Sequence, residues 1–386
     1  MKKLTLAFMF CFVFAEDEFF ESGVNIGGYG EMHYTNSVDP VSEDDPSTKL
    51  DFHRWVMFLN YNWTPEWSLK SELEIEHNMI GGDYGGYVEL EQAYINYHNA
   101  EGNWGFGAGT ILISAGIINE THEPPTFLSV ERPSYNKYII PTTWFGNGAM
   151  AYGSFGNFHA KFVLHEDLAG GSMVDSVTDD IEGAFVETTY FFTGLRDGRA
   201  KGYKSSALNW TKNLAIHYRG IEGLNLGGSY TFGEAPIDDG LKDNEGGDNF
   251  KGPNVNNAVG WDLFEIHGKY NANSITAIFE YGTSNLTHAK VLEGSTAVPD
   301  QKTSGYYIHL GYDVSSMMGW EDCRLVPWFG KNMYDINDLI DGDVTNTLMG
   351  LTYWPTDQVS FKIDYNMQDS NGSKNNTLSL GVGYMF

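Results

Sequence analysis

Cysteine is almost missing from this chain: two in 386 residues, of which only Cys323 lies beyond residue 15. One cysteine cannot close an internal disulfide, which excludes a small disulfide-stapled fold and leaves Cys323 as a quiet structural residue. Positive charge is also scarce, with 23 Lys and Arg against 51 Asp and Glu and a formal net charge of −28. Such a chain repels phosphate backbones, so nucleic acid is excluded as a partner. After residue 15 no apolar run approaches the roughly 20 residues that a membrane-spanning helix needs.

Aromatic residues, by contrast, are plentiful: 23 Tyr, 24 Phe and 10 Trp make up 15% of the chain, although mean hydropathy is only −0.33. Aromatic girdles, no long apolar runs and strands with one polar face are the composition of a transmembrane β-barrel. The opening stretch "MKKLTLAFMFCFVFA" has the parts of a secretory signal, with Lys2 and Lys3, an apolar run from Leu4 to Phe14 and the small Ala15. Residues 1–15 are therefore expected to be a cleaved signal peptide and residues 16–386 a single barrel domain. Losing Lys2 and Lys3 takes the charge from −28 to −30 and leaves 23 − 2 = 21 cationic side chains.

Alternation supports strands. In "WSLKSELEIEH", Trp67, Leu69, Leu73 and Ile75 alternate with Ser68, Lys70, Glu72, Glu74 and Glu76. At the other end, "TLSLGVGYMF" sets Leu378, Leu380, Val382, Tyr384 and Phe386 on one face. A terminal aromatic after alternating apolar residues resembles the strand that barrel-assembly machinery reads, with Phe386 as the contact. Reading the whole chain this way gives approximate spans of 22–35, 49–63, 66–78, 85–98, 103–113, 146–154, 157–165, 206–219, 223–232, 259–271, 274–283, 303–314, 321–331, 344–354, 357–368 and 376–386. That is an all-β fold, an antiparallel transmembrane barrel of about 16 strands, with short turns alternating with long polar loops. Eleven of the twelve prolines fall in connections and only Pro327 in a proposed strand. The alternation is weakest over 166–205, where "GAFVETTYFF" reads as a candidate further strand that would raise the count to eighteen.

The segment 114–145 interrupts the strand pattern with four prolines, Pro124, Pro125, Pro133 and Pro141. Each fixes φ and removes a donor, so the loop holds a set path without becoming strand or helix. Unstructured connections beyond about 15 residues are usually functional. A barrel of this size encloses a channel too wide to discriminate small solutes, so this third external loop is expected to fold into the lumen as a constriction.

"GIINETHEPPTFLSVERP" followed by "IIPTTWFGNG" resembles the third-loop region of the phosphate-selective porin O/P-like family, and the chain after residue 15 resembles Gram-negative outer-membrane porins over its length. The resemblance implies a trimeric sixteen-stranded channel for small anions or other polar solutes. Phosphate-selective members carry basic residues at the constriction, whereas 21 cations face 51 carboxylates here.

Candidate constriction residues are Asn119, Glu120, His122, Glu123, Glu131 and Arg132, each of which could instead anchor the loop. Candidate wall residues facing the loop are Arg54, Lys70 and Lys161, within a set of inward cations that includes Arg219, Lys269, Arg324 and Lys362, with His33, His159 and His217. Acidic external loops (Asp39, Glu43, Asp44 and Asp45; Asp335, Asp338, Asp341 and Asp343) would gather cations at the mouth. "HEPPT" begins like a zincin, but Thr126 replaces the second His and two prolines forbid the helix. Glu120, His122 and Glu123 are close in sequence yet have no scaffold to present them to a metal. The expected function is a passive diffusion channel for small hydrophilic solutes and ions, weakly cation-preferring, in the outer membrane with lipid and lipopolysaccharide around it. No catalysis, cofactor or metal is expected. An anion- or phosphate-selective channel is the alternative within the class; a barrel enzyme or a surface adhesin are those outside it.

Overall fold

A computed structural model describes residues 21–37, 47–81, 85–179, 187–203, 206–238, 253–287, 299–339 and 342–386. The expected signal peptide at 1–15, together with Asp39, Glu43, Asp44, Asp45 and Asp341, lies outside the described residues.

The first seven strands are β1 (Gly23–Ser37), β2 (Thr48–Asn62), β3 (Trp67–Glu76), β4 (Val88–His98), β5 (Trp104–Leu112), β6 (Phe145–Phe155) and β7 (Phe158–His165). Two short strands follow, β8 (Val174–Asp179) and β9 (Glu187–Phe192). The rest are β10 (Thr211–Ile221), β11 (Leu224–Asp238), β12 (Pro253–Ala272), β13 (Ile275–Thr287), β14 (Gln301–Tyr312), β15 (Arg324–Asp335), β16 (Val344–Thr356), β17 (Val359–Ser370) and β18 (Ser373–Met385). Sixteen of them close an antiparallel barrel, each bonded to its neighbours along the chain, while β8 and β9 pair only with each other. Among the described residues, the ambiguous stretch 166–205 therefore contributes a hairpin and no barrel strands.

Closure runs from Tyr29 opposite Met385 to Ser37 opposite Thr377. Terminal Phe386 completes it: its N–H donates to Gly28 O at 2.9 Å and its carbonyl accepts from Gly28 N at 3.0 Å. The outer wall exposes Leu214, Ile216, Phe264, Ile266, Phe279, Met349 and Ile363, an apolar band that suits lipid and would be anomalous in water. Near the short turns sits an aromatic girdle, with Trp67 4.9 Å from Tyr97, Tyr97 5.6 Å from Trp104 and Phe158 5.1 Å from Tyr218. Rings at this level place an apolar body toward lipid and a polar edge toward the interface.

Three details differ from the alternation pattern. Four prolines, not one, lie in strands: Pro236, Pro253, Pro327 and Pro355. The sheet absorbs each missing donor. Pro236 and Pro355 sit at register shifts, Pro253 opens its strand, and Pro327 lies just beyond the last pair that β15 makes with β14, Gly311 with Trp328. The eighth external connection is not a loop but the two residues Asn371 and Gly372, with φ of 50° and 84°. Positive φ at both centres is the type I′ turn that matches strand twist, and Asn-Gly is its favoured pair.

The third difference concerns the inner face, which is not uniformly polar. Val259, Trp261, Leu263, Ile278, Leu286 and Tyr307 point inward and bury against Ile113, Ile117, Tyr135, Ile139 and Trp144 of the third loop. Leu168, Met173, Phe192 and Leu195 of the 166–210 connection join the same core. Inner positions become apolar where the loops fold in to cover them, because that surface leaves water.

Candidate functional site: the third loop and the wall it meets

Two β-bulges shape the wall of β1–β4. The register between β1 and β2 jumps from Glu31–Arg54 to Met32–Phe52, leaving His53 as an extra residue. That between β3 and β4 jumps from Glu72–Gln92 to Leu73–Leu90, leaving Glu91. A bulge gives one strand an extra residue and re-aims the side chains around it. Here Gln92 Nε2 donates to Glu72 Oε2 at 2.6 Å while adjacent Glu91 stays 1% exposed beside the same glutamate. Likewise His53 stacks on His33, centroids 5.0 Å apart, while Arg54 Nε donates to Glu31 Oε1 at 2.5 Å. The result is a buried patch of Glu31, Glu72, Glu74 and Glu91 against Arg54 and His33, with Glu89 and Lys201 paired at its edge.

The third loop, 113–144, meets this patch after tying itself together. Asn119 is fully buried and staples the loop's two ends: its Nδ2 donates to Ile113 O at 2.7 Å and Trp144 O at 2.9 Å, and its Oδ1 accepts from Trp144 N at 2.6 Å. On β13, the Glu280 carboxylate accepts from Ile117 N and, at 2.8 Å, from Asn136 Nδ2, so one buried side chain holds both arms. The turn Pro124–Thr126 and the residues after it lie along a further arc of the wall, held mainly by β16 and β17. Trp354 Nε1 donates to Pro125 O at 3.0 Å, Thr352 Oγ1 to Leu128 O at 2.6 Å and Lys362 Nζ to Ser129 O at 2.8 Å. Asp364 Oδ2 accepts from Val130 N at 2.6 Å, and Lys269 Nζ donates to Thr126 O at 3.1 Å. Glycines let the loop approach: a Cβ on Gly383 would lie 2.3 Å from Pro124 Cβ. Buried backbone groups need partners, and strands around the circumference supply them.

The charged loop residues divide by exposure. Glu120 receives Lys161 Nζ and Ser114 Oγ, both at 2.8 Å, with 30% of its side chain in water. Burial alone would raise its carboxyl, but the Lys161 ammonium, His217 and these hydrogen bonds outweigh it and hold the pKa at about 2. Glu131 is more open than Glu120, at 52%, and pairs with His33 Nδ1 at 2.6 Å. Burial opposes its ionisation too, yet the His33 charge and hydrogen bond hold it below the usual carboxylate range.

His122 is buried, its Nε2 facing Glu72 at 3.4 Å and Glu91 at 3.5 Å. Burial disfavours its charge, but those two carboxylates outweigh it and raise the imidazole pKa well above its ordinary value. Glu123 turns an unpartnered Oε2 into the packing, and burial pushes its carboxyl up although His122 pulls it down. Arg132 reaches back within the loop, Nη1 to Thr143 Oγ1 at 3.1 Å.

The wall candidates are spread out. Arg54 sits in the buried patch and Lys161 pairs with the loop, whereas Lys70 lies on the inner face of β3 opposite Tyr94. Glu31, Glu89, Glu91, Glu280 and Asp364 were not singled out by sequence reasoning. Strict alternation puts Glu91 and Gln92 on opposite faces, and only the bulge brings both inside.

No protein-family profile matches the chain. It is 29% identical over 386 residues to an uncharacterized protein of Aquifex aeolicus (strain VF5), covering 95% of this chain and 80% of that one. Among solved structures it resembles an anion-selective porin from Comamonas acidovorans, with TM-score 0.61 at 11% identity over 95% of this chain and 100% of the other. The outer-membrane channel DcaP of Acinetobacter baumannii gives TM-score 0.57 at 10% identity, covering 95% and 97%. OmpT of Vibrio cholerae in its trimer form gives 0.57 at 12%, covering 95% and 99%. The chain thus has the sixteen-stranded barrel fold of outer-membrane porins.

Proposed function

We propose that this chain is a Gram-negative outer-membrane porin, a passive diffusion channel for small hydrophilic solutes and ions with a weak cation preference and no catalytic step. The observation that carries the reading is the third loop. It crosses a closed barrel, bonds to strands on opposite sides, and has Glu131, Glu120 and Lys137 among its water-facing charges, with Lys161 of β7 paired to Glu120. Rings of fixed charge at a narrowing set ion preference, and the wall beside this one carries more carboxylates than cations. Asn119, His122 and Arg132 act as anchors; Glu120, Glu131 and Lys161 form the constriction.

Export through the signal at 1–15, recognition of Phe386 by assembly machinery, lipopolysaccharide around the outer rim and a homotrimer complete the reading. The trimer form of the similar Vibrio protein supports the last point. Liposomes carrying the purified protein test the channel itself. Swelling rates in isotonic neutral sugars should fall steadily with sugar size, and liposomes that swell no faster than protein-free ones would overturn it.

A further inference from the structure

We propose that Glu72, Glu91 and His122 form a binding site for one zinc-class divalent ion, which fastens the tip of the third loop to the wall of β3 and β4. The three donor atoms lie within 4.8 Å of one another, and all three residues are at least 97% buried. The spacing has the form of a coordination shell. His122 Nε2 stands 3.4 Å from Glu72 Oε1 and 3.5 Å from Glu91 Oε2, longer than the roughly 2.7–2.9 Å of a charge-assisted hydrogen bond. With metal–ligand bonds of about 2.0–2.2 Å, a tetrahedral ion sets its ligands about 3.3–3.6 Å apart.

Glu91 supplies an independent sign. Its Oε2 is buried without a hydrogen-bond partner and is one of the three donors. A bulge has brought this carboxylate to the inner face, and an unsatisfied buried oxygen is costly unless something occupies its lone pairs.

The supporting groups orient the donors as metal sites require. His122 Nδ1 is 3.3 Å from Asn119 O, so a proton on Nδ1 turns the Nε2 lone pair toward the two carboxylates. Gln92 Nε2 donates to Glu72 Oε2 at 2.6 Å and the Tyr29 hydroxyl to Oε1 at 3.3 Å, which leaves the second lone pair of Oε1 for the ion. Such outer partners fix tautomer and angle. Two carboxylates and a neutral imidazole balance a 2+ charge, and a nitrogen–oxygen donor set suits zinc over magnesium or calcium. Glu74 and Glu89 lie within ligand distance of Glu91; Glu89, 17% exposed at its side chain, connects the site to water. The sequence offered His122 with its neighbours Glu120 and Glu123; the scaffold comes instead from two strands.

The test uses the full-length protein in detergent, stripped with chelator and dialysed against zinc(II) or cobalt(II). Wild type should retain one equivalent per chain by elemental analysis, and the cobalt form should show the intense visible bands of a tetrahedral site. His122→Asn and Glu91→Gln should each weaken binding at least ~100-fold, and Gln92→Ala by ~10- to 100-fold. His159→Asn should bind as wild type, and far-UV circular dichroism verifies the barrel in each variant. Wild type retaining no metal, or His122→Asn binding as well as wild type, overturns the proposal and assigns the gap to a proton on His122 shared by two glutamates. The readout is stoichiometry, so its failure leaves the channel reading standing.

Discussion

Replacing Glu280 by Ala is the sharpest perturbation of the loop, because one carboxylate accepts from Ile117 N on one arm and Asn136 Nδ2 on the other. Glu280 is fully buried, so water cannot easily replace it. Each buried donor left without a partner costs about 1–3 kcal/mol, so losing both disfavours docking by about 2–6 kcal/mol. At about 1.4 kcal/mol per tenfold, the ratio of docked to released loop falls by about 30- to 20,000-fold. Glu280→Gln keeps an acceptor for Ile117 N and should lose far less.

The contacts to β16 and β17 remain, so release begins in the segment around residues 115–120 and leaves the barrel closed. Limited proteolysis reads this, since cleavage follows the open population when opening is fast. The Ala variant should be cut within the loop at least tenfold faster than wild type, with noisier single-channel currents. Cleavage within twofold of wild type, and equally steady currents, would refute the view that Glu280 holds the loop.

Three other outcomes follow from the same geometry. Gly383→Ala puts a methyl 2.3 Å from Pro124 Cβ, an overlap costing about 1–3 kcal/mol; the variant should keep its barrel by circular dichroism but change its unitary conductance, and an unchanged conductance contradicts the seating of the turn Pro124–Thr126. Lys161→Gln removes the cation paired with Glu120, so permeability should shift toward cations; a shift toward anions contradicts placing this pair at the constriction. The Glu131–His33 clasp depends on an ionised carboxylate held below its usual range. A depressed carboxyl stabilises fully above its unfolded pKa of about 4.3 and loses that contribution as pH falls through the lower folded value. Loop fluctuations should therefore appear only below about pH 4 and lose this step in Glu131→Gln; an onset above pH 5 in wild type contradicts it.

Most of the barrel was legible in the sequence, since lipid on one side and water on the other impose a period of two along every strand. All sixteen barrel strands overlap the spans read from alternation, and the hairpin β8–β9 accounts for the ambiguous stretch. What escaped had local causes. Alternation places the prolines at 236, 253 and 355 in connections, whereas register shifts or a strand start let the sheet accommodate them. Alternation leaves the pair Asn371–Gly372 inside a polar connection, 369–375, although it carries the chemistry of a two-residue turn. Trp261 and Leu263 face inward because a distant loop covers them, which no local window reveals.

The loop's place in the lumen could be argued from its length and prolines. Which side chains meet water could not, because that depends on partners far along the chain. Asn119 and His122 are as polar in sequence as Glu131, yet the first clamps backbone from residues 113 and 144 and the second meets two glutamates from β3 and β4. Glu91 faces inward only because its strand carries one residue more than its neighbour.

Zero-current potential in a planar bilayer, with a tenfold KCl gradient across the wild-type protein, tests the central claim most directly. The account predicts steady ohmic channels whose reversal potential has the sign of modest potassium preference. A membrane that stays silent, or a reversal potential of chloride sign, would contradict it.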